Sequence, residues 1–333
     1  MKKSILAALI ILFFFFSPAL AAPKHSFKIA SLAPDGSIWT NHFRQFAAEV
    51  EEKSGGAIHI KIYPGGIMGD DLAMYRKIRI GQLHGGGFTM TGISNVVPDF
   101  RVMAIPFYFD TYQEIDAVSD TIFPYLQKRF NDNDLELLAI TEVGFIYGMS
   151  TSPMSTLADL QKRKSWVPAG DPLTTTYLQN LGITPIPLTI PDVLSSLQTG
   201  LIDTVYTSLY GAIVMQWFTK AVYVTDVPYG YAYGAVALSK KAFSQLPQEY
   251  AEILHQAAQK HFTALNRETR EINRESKEVL KEHGVTFIGA SPETKQKLRQ
   301  NSEETIKILK GQAFSEEAFS QVDEIVKQLR ATQ

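Results

Sequence analysis

The acidic and glycine-rich stretches are the first places where this chain could bind a metal ion or a phosphate. Asp132, Asp134 and Glu136 alternate like the start of a calcium-binding loop, but Leu137 occupies the position where that loop needs glycine. The stretch at 65–69, GGIMG, lacks the Lys-Ser/Thr ending of a phosphate-binding loop and the spacing of a dinucleotide fingerprint. We therefore expect neither a metal nor a cofactor.

Catalytic groups are equally hard to assemble. The seven histidines are scattered, and His255 and His261 are six residues apart, which places them on different faces of a helix. The chain has no G-x-S-x-G motif and no cysteine, so this nucleophile motif, thiol catalysis and disulfides are all excluded. These observations predict a binding protein rather than an enzyme.

The N-terminus predicts export. Two lysines precede the apolar run Ile5–Phe16, and the sequence ALA at 19–21 has the small-x-small pattern of a signal-peptidase site. The run is shorter than the roughly 20 residues that span a bilayer, and no cysteine is available for a lipid anchor. We expect residues 1–21 to be removed by cleavage near Ala21, and the mature protein to start near Ala22 and diffuse freely.

Charge and length narrow the function further. The formal charge is 32 minus 34, or -2, and becomes 30 minus 34, or -4, once the two lysines of the signal are removed. This weak acidity gives no general attraction for nucleic acid or an anionic membrane. The remaining 312 residues (333 minus 21) are enough for two lobes.

Strand and helix patterns alternate from the start of the mature chain. Apolar alternation predicts strands at 27–30 and 58–62, and helical spacing predicts helices at 38–53 and 70–80. Three glycines then lead into a strand at 88–90. Such alternation predicts an α/β fold with a mainly parallel sheet between helices. Ligands of these sheets collect in the loops after the strands.

A second set of elements and a long helix follow. Past Pro247, apolar residues recur at helical spacing as far as Gly284, which predicts a helix of roughly 55 Å at about 1.5 Å per residue. A helix of this length would bridge both lobes. The other predicted elements are strands at 137–142, 165–167, 201–206 and 285–288, and helices at 172–181, at 191–199 and from 291 onward.

Four segments resemble the DctP-like substrate-binding subunit of tripartite ATP-independent periplasmic (TRAP) transporters. They are SLAPDGSIWTNHFRQFAAEVEEKSGGAIHIKIYPGG, DDLAMYRKIRIGQ, RVMAIPFYF and PIPLTIPDVLSSLQTGLIDT. The resemblance covers essentially the whole mature chain. It implies a two-lobed periplasmic binding protein of the type II kind, in which each lobe is a mixed, mainly parallel sheet flanked by helices.

The resemblance also implies how the chain is divided and what it does. The first lobe would hold 22–143 and about 232–265, the second 144–231 and about 285–328, with the bridging helix at about 247–284. A periplasmic receptor of this family closes on a solute and delivers it to the membrane permease subunits of an ion-coupled transporter. A tetratricopeptide-repeat periplasmic partner is left open.

This chain departs from the family pattern at four positions. Trp166 stands where members of the family have an arginine that pairs with a substrate carboxylate, and Ile146 stands where a second arginine often occurs. Tyr206 and Thr207 replace an acid and an amide. All four changes remove charge or polarity, which predicts a ligand with a substantial apolar or aromatic part. If Trp166 lines the cleft, Trp166→Ala should weaken binding with little loss of folding.

Other candidate ligand contacts are aromatic residues and loop residues near the predicted cleft, and each of them could equally be structural. Asp71, for example, could serve only as a favourable charge in the first turn of its helix. These further candidates are Phe145, Tyr147, Trp39, Met68, Asp71, Met90, Thr91 and Trp217.

Three other functions stay open on the sequence. An organic-acid receptor of the same family could bind a dicarboxylate-like solute through other polar contacts. A periplasmic sensory or scaffold protein could share the fold and signal through a partner. A periplasmic hydrolase is also compatible with α/β architecture, because fold does not dictate activity.

Overall fold

The computed structural model describes residues 23–332, so the predicted signal and cleavage site lie outside the described residues. The strands are β1 (His25–Ser31), β2 (Ile58–Tyr63), β3 (Gly85–Thr89), β4 (Leu135–Ser150), β5 (Trp166–Pro168), β6 (Ile186–Leu188), β7 (Thr204–Thr207), β8 (Tyr223–Ser239) and β9 (Thr286–Ile288). The helices are α1 (Ile38–Lys53), α2 (Asp71–Arg79), α3 (Met90–Ile93), α4 (Tyr112–Asn131), α5 (Leu157–Gln161), α6 (Pro172–Asn180), α7 (Val193–Thr199), α8 (Leu209–Val214), α9 (Lys240–Phe243), α10 (Gln248–Glu282), α11 (Pro292–Leu309) and α12 (Glu316–Ala331). Three short 3₁₀ turns lie at Pro98–Ala104, Ile190–Asp192 and Trp217–Thr219.

The main sheet is mixed, in the order β2-β1-β3-β8-β4-β7, with β9 alongside β8. Strand β1 pairs parallel with β2 and β3, whereas β8 pairs antiparallel with β3 and β4. A small parallel sheet of β5 and β6 joins β7 through a bridge between Ser165 and Thr204. The predicted α/β fold is confirmed.

Strands β4 and β8 cross between two halves of the molecule. The start of β4 pairs with the end of β8 beside β3, and the end of β4 pairs with β7 and the start of β8. We call the half containing β1, β2 and β3 the first lobe and the half containing β5, β6, β7 and β9 the second lobe. Gly144 lies at the crossing with φ of +101°, a conformation that favours glycine. The predicted residue ranges of the lobes stay a prediction.

Each lobe has its own apolar core. Helices α1 and α10 pack on one face of the first-lobe sheet, where Phe46 and Phe262 are buried with ring centroids 5.4 Å apart. The opposite face is covered by α4, whose Phe130 packs edge-to-face with Phe100. The second-lobe core has two parts, one around Trp166 and one around Tyr177.

The long helix α10 contacts both lobes, as the sequence predicts. Its residues Leu254, Phe262 and Leu265 are buried in the first-lobe core, and Leu280 is fully buried in the second-lobe core. The 35 residues of this helix give a length of about 52 Å at about 1.5 Å per residue. Within residues 23–332, no helix is long and apolar enough to cross a membrane.

The local signals that set helix limits are visible in the coordinates. The hydroxyl of Ser37 accepts a hydrogen bond from the Thr40 N–H at the start of α1, and the Asp70 carboxylate caps α2 in the same way. Gly200 ends α7 with φ of +73°. Helix ends therefore follow the sequence closely.

Candidate ligand-binding cleft

A cavity of about 210 Å³ lies between the two lobes. Both lobes and the crossing strands contribute to its wall, which is mainly apolar and aromatic. The residues that define it best are Leu32, Trp39, Phe43, Met90, Thr91, Glu142, Ile146, Trp166, Asp171, Thr174, Tyr206, Thr207, Met215, Trp217, Tyr229, Tyr231 and Tyr233.

Two tryptophans form the second-lobe wall. Trp166 and Trp217 pack edge-to-face with ring centroids 5.3 Å apart, and both are buried in the second-lobe core. The indole N–H of Trp166 donates to the Leu188 carbonyl at 3.0 Å across the small sheet. Trp166 thus presents ring surface to the cavity while its hydrogen-bond donor is already occupied.

The first-lobe wall is built in a similar way. The indole N–H of Trp39 donates to the Glu142 carbonyl at 2.9 Å, and its ring packs against Tyr210 at 5.1 Å. The Tyr210 hydroxyl in turn accepts from the Ile38 N–H at 3.1 Å, which fastens α8 to the start of α1. Hydrogen bonds of this kind lock the rotamers that shape the wall.

Strand β8 supplies tyrosines at every second residue, as strand alternation requires. Tyr229, Tyr231 and Tyr233 line the cavity and are all buried. Tyr229 packs against Tyr206 with ring centroids 4.6 Å apart. Burial raises the pKa of Tyr206 to about 12 and that of Tyr229 well above its usual value, so both phenols stay protonated.

Two carboxylates line the cavity, and both already have partners. Glu142 pairs with Arg270 of α10, whose Nε donates at 2.9 Å, and Asp171 caps α6 and accepts from the Thr174 hydroxyl at 2.6 Å. Burial raises the pKa of each carboxyl group, and these hydrogen bonds oppose that shift. Within residues 23–332, no lysine or arginine lines the cavity.

The lobes approach each other at the mouth of the cleft. A Cβ on Gly66 of the first lobe would lie 3.7 Å from Pro191 Cγ of the second, and one on Gly170 would lie 3.5 Å from the Asn95 side chain. Both pairs are at ordinary van der Waals distance. The two lobes therefore enclose the cavity rather than face open solvent across it.

Seven of the eleven predicted site residues line this cavity. They are Trp39, Met90, Thr91, Trp166, Tyr206, Thr207 and Trp217. Ile146, the fourth position of departure from the family pattern, lines it as well. The four positions where charge or polarity is replaced thus converge on one wall region.

The structure places two other candidates on the wrong face of strand β4. Phe145 packs against Tyr112 and Tyr231, and Tyr147 packs against the second-lobe core. Side chains alternate along a strand, so these two residues point one way and Ile146 between them points the other way, into the cavity. Aromatic type was a misleading criterion here.

Met68 and Asp71 also lie away from the cavity. Met68 packs against the first-lobe core. Asp71 is buried beneath α3, where its carboxyl group accepts from the Thr89 hydroxyl at 2.5 Å and from the Thr89 N–H at 3.1 Å. Burial raises the pKa of Asp71 to about 7. Asp71 therefore supports the cleft residues that follow Thr89 without reaching the cavity.

Three residues that the sequence did not single out are important to the site. Glu142 and Asp171 supply its only charged groups within the described chain, and Tyr229 supplies a buried hydroxyl. The period-two spacing of tyrosines at 229, 231 and 233 was a usable signal for one face of a strand. Asp171 before Pro172 was a helix-start signal, but nothing local marked it as part of a cleft.

Arg101 is the buried cation whose electrostatic influence reaches Asp171 of the cleft, but it is not part of the lining. Its guanidinium donates to the Ala313 carbonyl at 2.5 Å and to the Ser94 carbonyl at 3.0 Å, while its Nε has no partner within the described chain. Burial lowers the pKa of Arg101, and the Asp171 carboxylate opposes that shift.

Comparison with known proteins gives one consistent result. The model of the DctP family, described as bacterial extracellular solute-binding protein, family 7, matches residues 29–312. A solute-binding protein of Roseobacter denitrificans is 24% identical over 194 residues, covering 56% of this chain and 58% of that relative. The 2,3-diketo-L-gulonate-binding periplasmic protein of Escherichia coli is 24% identical, covering 74% and 75%.

Solved structures agree on the fold. The sugar acid binding protein of Advenella mimigardefordensis, in complex with galactonate, superposes with a TM-score of 0.86 at 23% identity, covering 92% of this chain and 99% of that protein. At this level of identity the likeness concerns the fold alone. The two-lobed architecture expected from the sequence is thereby confirmed.

Proposed function

Because this chain belongs to family 7 of the bacterial extracellular solute-binding proteins, we propose that its cleft binds a small solute with a substantial apolar or aromatic part. The protein is a receptor of the TRAP type and not an enzyme. In this proposal the loaded receptor delivers its solute to the permease subunits of an ion-coupled transporter, in the periplasm.

The observation that carries this proposal is the chemistry of the cavity wall. Tryptophan and tyrosine rings surround the space, and within the described chain no cationic side chain reaches it. Burying an unpaired carboxylate there would cost several kcal/mol. Covering roughly 150 Å² of apolar ligand surface at about 25 cal/mol per Å² would contribute about 4 kcal/mol.

The cavity volume supports a compact ligand. Its 210 Å³ is moderately larger than the apolar cavity of roughly 150 Å³ that holds benzene. A single ring with a few further atoms would fill it. The relatives named above bind 2,3-diketo-L-gulonate and galactonate, which are polar acids, so the proposed solute class differs from theirs.

Closure of the two lobes is the proposed mechanism. The solute would contact both lobes, and the close approach of Gly66 to Pro191 would exclude water around it. A ligand shifts the equilibrium towards the closed state only by as much as it prefers that state. The permease subunits would then recognise the closed shape.

A second candidate is an organic-acid receptor that uses Arg101. The unpartnered Nε of Arg101 is the observation that favours it. To bind a carboxylate, Arg101 would have to turn into the cavity and give up its bonds to the Ser94 and Ala313 carbonyls. That rearrangement would leave buried carbonyl groups unpaired.

Ligand identification tests the proposal. Mature protein is purified under native conditions, and its retained solute is identified by mass spectrometry; the same preparation, stripped of solute, is titrated with succinate and galactonate. We expect a solute with an aromatic or alicyclic body and no binding of either acid below millimolar concentration. Tight binding of succinate or galactonate would favour the organic-acid receptor instead.

Partners need a separate experiment. Deletion of the protein should abolish uptake of the identified solute if the permease is its partner, whereas a sensory or scaffold protein would lose a signalling response with uptake intact. A tetratricopeptide-repeat partner remains a proposal that co-purification from the periplasm would test.

A further inference from the structure

The hydroxyl of Tyr229 is a buried polar group without a hydrogen-bond partner. Only 7% of Tyr229 is exposed, it lines the cavity, and its hydroxyl oxygen has no partner among the described residues. Buried polar groups in folded proteins are nearly always hydrogen-bonded, so an exception in a ligand cavity needs an explanation. A ligand atom is the simplest partner that the site can receive.

The surroundings of Tyr229 define what that partner must be. The Thr174 side chain is close enough to influence the pKa of Tyr229, but the two hydroxyls do not reach hydrogen-bond geometry. Thr174 instead donates to Asp171, whose carboxylate oxygens also accept the N–H groups of Leu173 and Thr174. The protonated phenol of Tyr229 is therefore left as a donor that needs an acceptor.

The electrostatics of the cavity exclude a charged partner. Glu142 is neutralised by Arg270, and Asp171 is held by the first turn of α6. An anionic ligand would meet no cation in the lining, and a cationic ligand would have to compete for carboxylates that are already bonded. Both ions would be buried without compensation.

We propose that the solute is uncharged and that the Tyr229 hydroxyl orients it by donating a hydrogen bond to a carbonyl or ether oxygen. The apolar body of the solute then lies between the Trp166 and Trp217 rings on one side and Trp39 on the other. This inference rests on the proposed function and narrows it to a ligand class, a neutral cyclic ketone, ester, amide or ether.

Three probes of nearly equal shape test the ligand class. Acetophenone carries a neutral acceptor, benzoate carries an anionic one, and ethylbenzene carries none. Their dissociation constants are measured by NMR titration of solute-free mature protein, with the indole N–H signals of Trp166 and Trp217 reporting occupancy of the cleft. We expect acetophenone to bind at least tenfold more tightly than benzoate.

Tyr229→Phe tests the hydrogen bond. This variant should weaken acetophenone binding roughly two- to tenfold, the range of one net hydrogen bond, and leave ethylbenzene binding unchanged. It should be at least as stable as the wild-type protein, because the lost hydroxyl has no internal partner. The matched control is Tyr250→Phe, whose ring lies against His25 outside the cavity and should alter neither affinity.

The results separate this inference from the proposed function. Benzoate binding as tightly as acetophenone, or unchanged acetophenone binding by Tyr229→Phe, would overturn the inference and leave an apolar solute in place. Tight galactonate binding without any aromatic binding would overturn both. Failure of all three aromatic probes to shift the indole signals would likewise count against both.

Discussion

Replacing Trp166 tests whether one ring serves both the second-lobe core and the ligand. Trp166 is 3% exposed, packs on Trp217 and bonds to the Leu188 carbonyl. Truncation of a buried tryptophan costs about 3–5 kcal/mol of unfolding free energy. Trp166→Ala should therefore destabilise the protein substantially, which replaces the expectation of little loss of folding. Trp166→Phe keeps a ring and should lose only about 1–2 kcal/mol.

The binding effect must be measured in folded protein. Loss of about 50 Å² of ligand contact at about 25 cal/mol per Å² corresponds to about 1.2 kcal/mol, or roughly eightfold in affinity. Urea unfolding followed by far-ultraviolet circular dichroism gives the stability, and calorimetric titration with the retained solute gives the affinity. The matched control is Leu280→Ala, which removes a fully buried residue of the same core that does not line the cavity.

The control decides how the result is interpreted. Leu280→Ala should lose about 2–5 kcal/mol of stability and keep its affinity for the solute. If it weakens binding as much as Trp166→Ala does, the effect of Trp166 is mere loosening of the lobe. A Trp166→Ala variant that loses less than about 1 kcal/mol would show that the ring is not part of the core.

Three further changes test the supports of the cleft. The pKa of Asp71 is about 7 in the folded protein and 3.8 ordinarily, so its stabilising contribution is full below about pH 4 and is lost as the pH rises through 7. The difference is at most about 4 kcal/mol, and Asp71→Asn should flatten urea-measured stability between pH 5 and 8; an unchanged pH profile would contradict the burial argument. Gly144→Ala should cost of order 1–3 kcal/mol of unfolding free energy, because φ is +101° and its Cβ would lie 2.7 Å from Asn273 Nδ2; a neutral effect would show that the crossing relaxes. Glu142→Gln should cost about 2 kcal/mol in the same assay by removing the charged partner of Arg270, and a stability gain would argue against that pair.

Local features of the fold were predictable from sequence because they depend on neighbouring residues. Helix α1 has the predicted limits, Ile38–Lys53, and α2 begins after its predicted aspartate cap. The long helix was predicted from its apolar spacing alone. The family resemblance then supplied the arrangement of these elements into lobes.

The crossing strands were underestimated for a physical reason. Strand β4 was predicted only at 137–142 and extends to Ser150, and β8 was not predicted at all. Strand β8 contains Pro228 and Gly230, which favour loops in isolation. Its pairing with β4 over most of its length is a long-range contact that no local pattern reports.

The site was predictable where position mattered more than residue type. Trp166 and Ile146 were identified through the family pattern, and both line the cavity. Phe145 was chosen for its aromatic ring and lies on the opposite face of its strand. The unpartnered hydroxyl of Tyr229 depends on three-dimensional surroundings, so sequence could suggest the residue but not its free donor.

A crystal structure of protein purified with its endogenous solute retained tests the central claim most directly. We predict density for an uncharged ring-containing molecule between Trp166, Trp217 and Trp39, with an oxygen within about 3 Å of the Tyr229 hydroxyl. A carboxylate in the cleft, paired with an Arg101 side chain that has turned inward, would contradict the account.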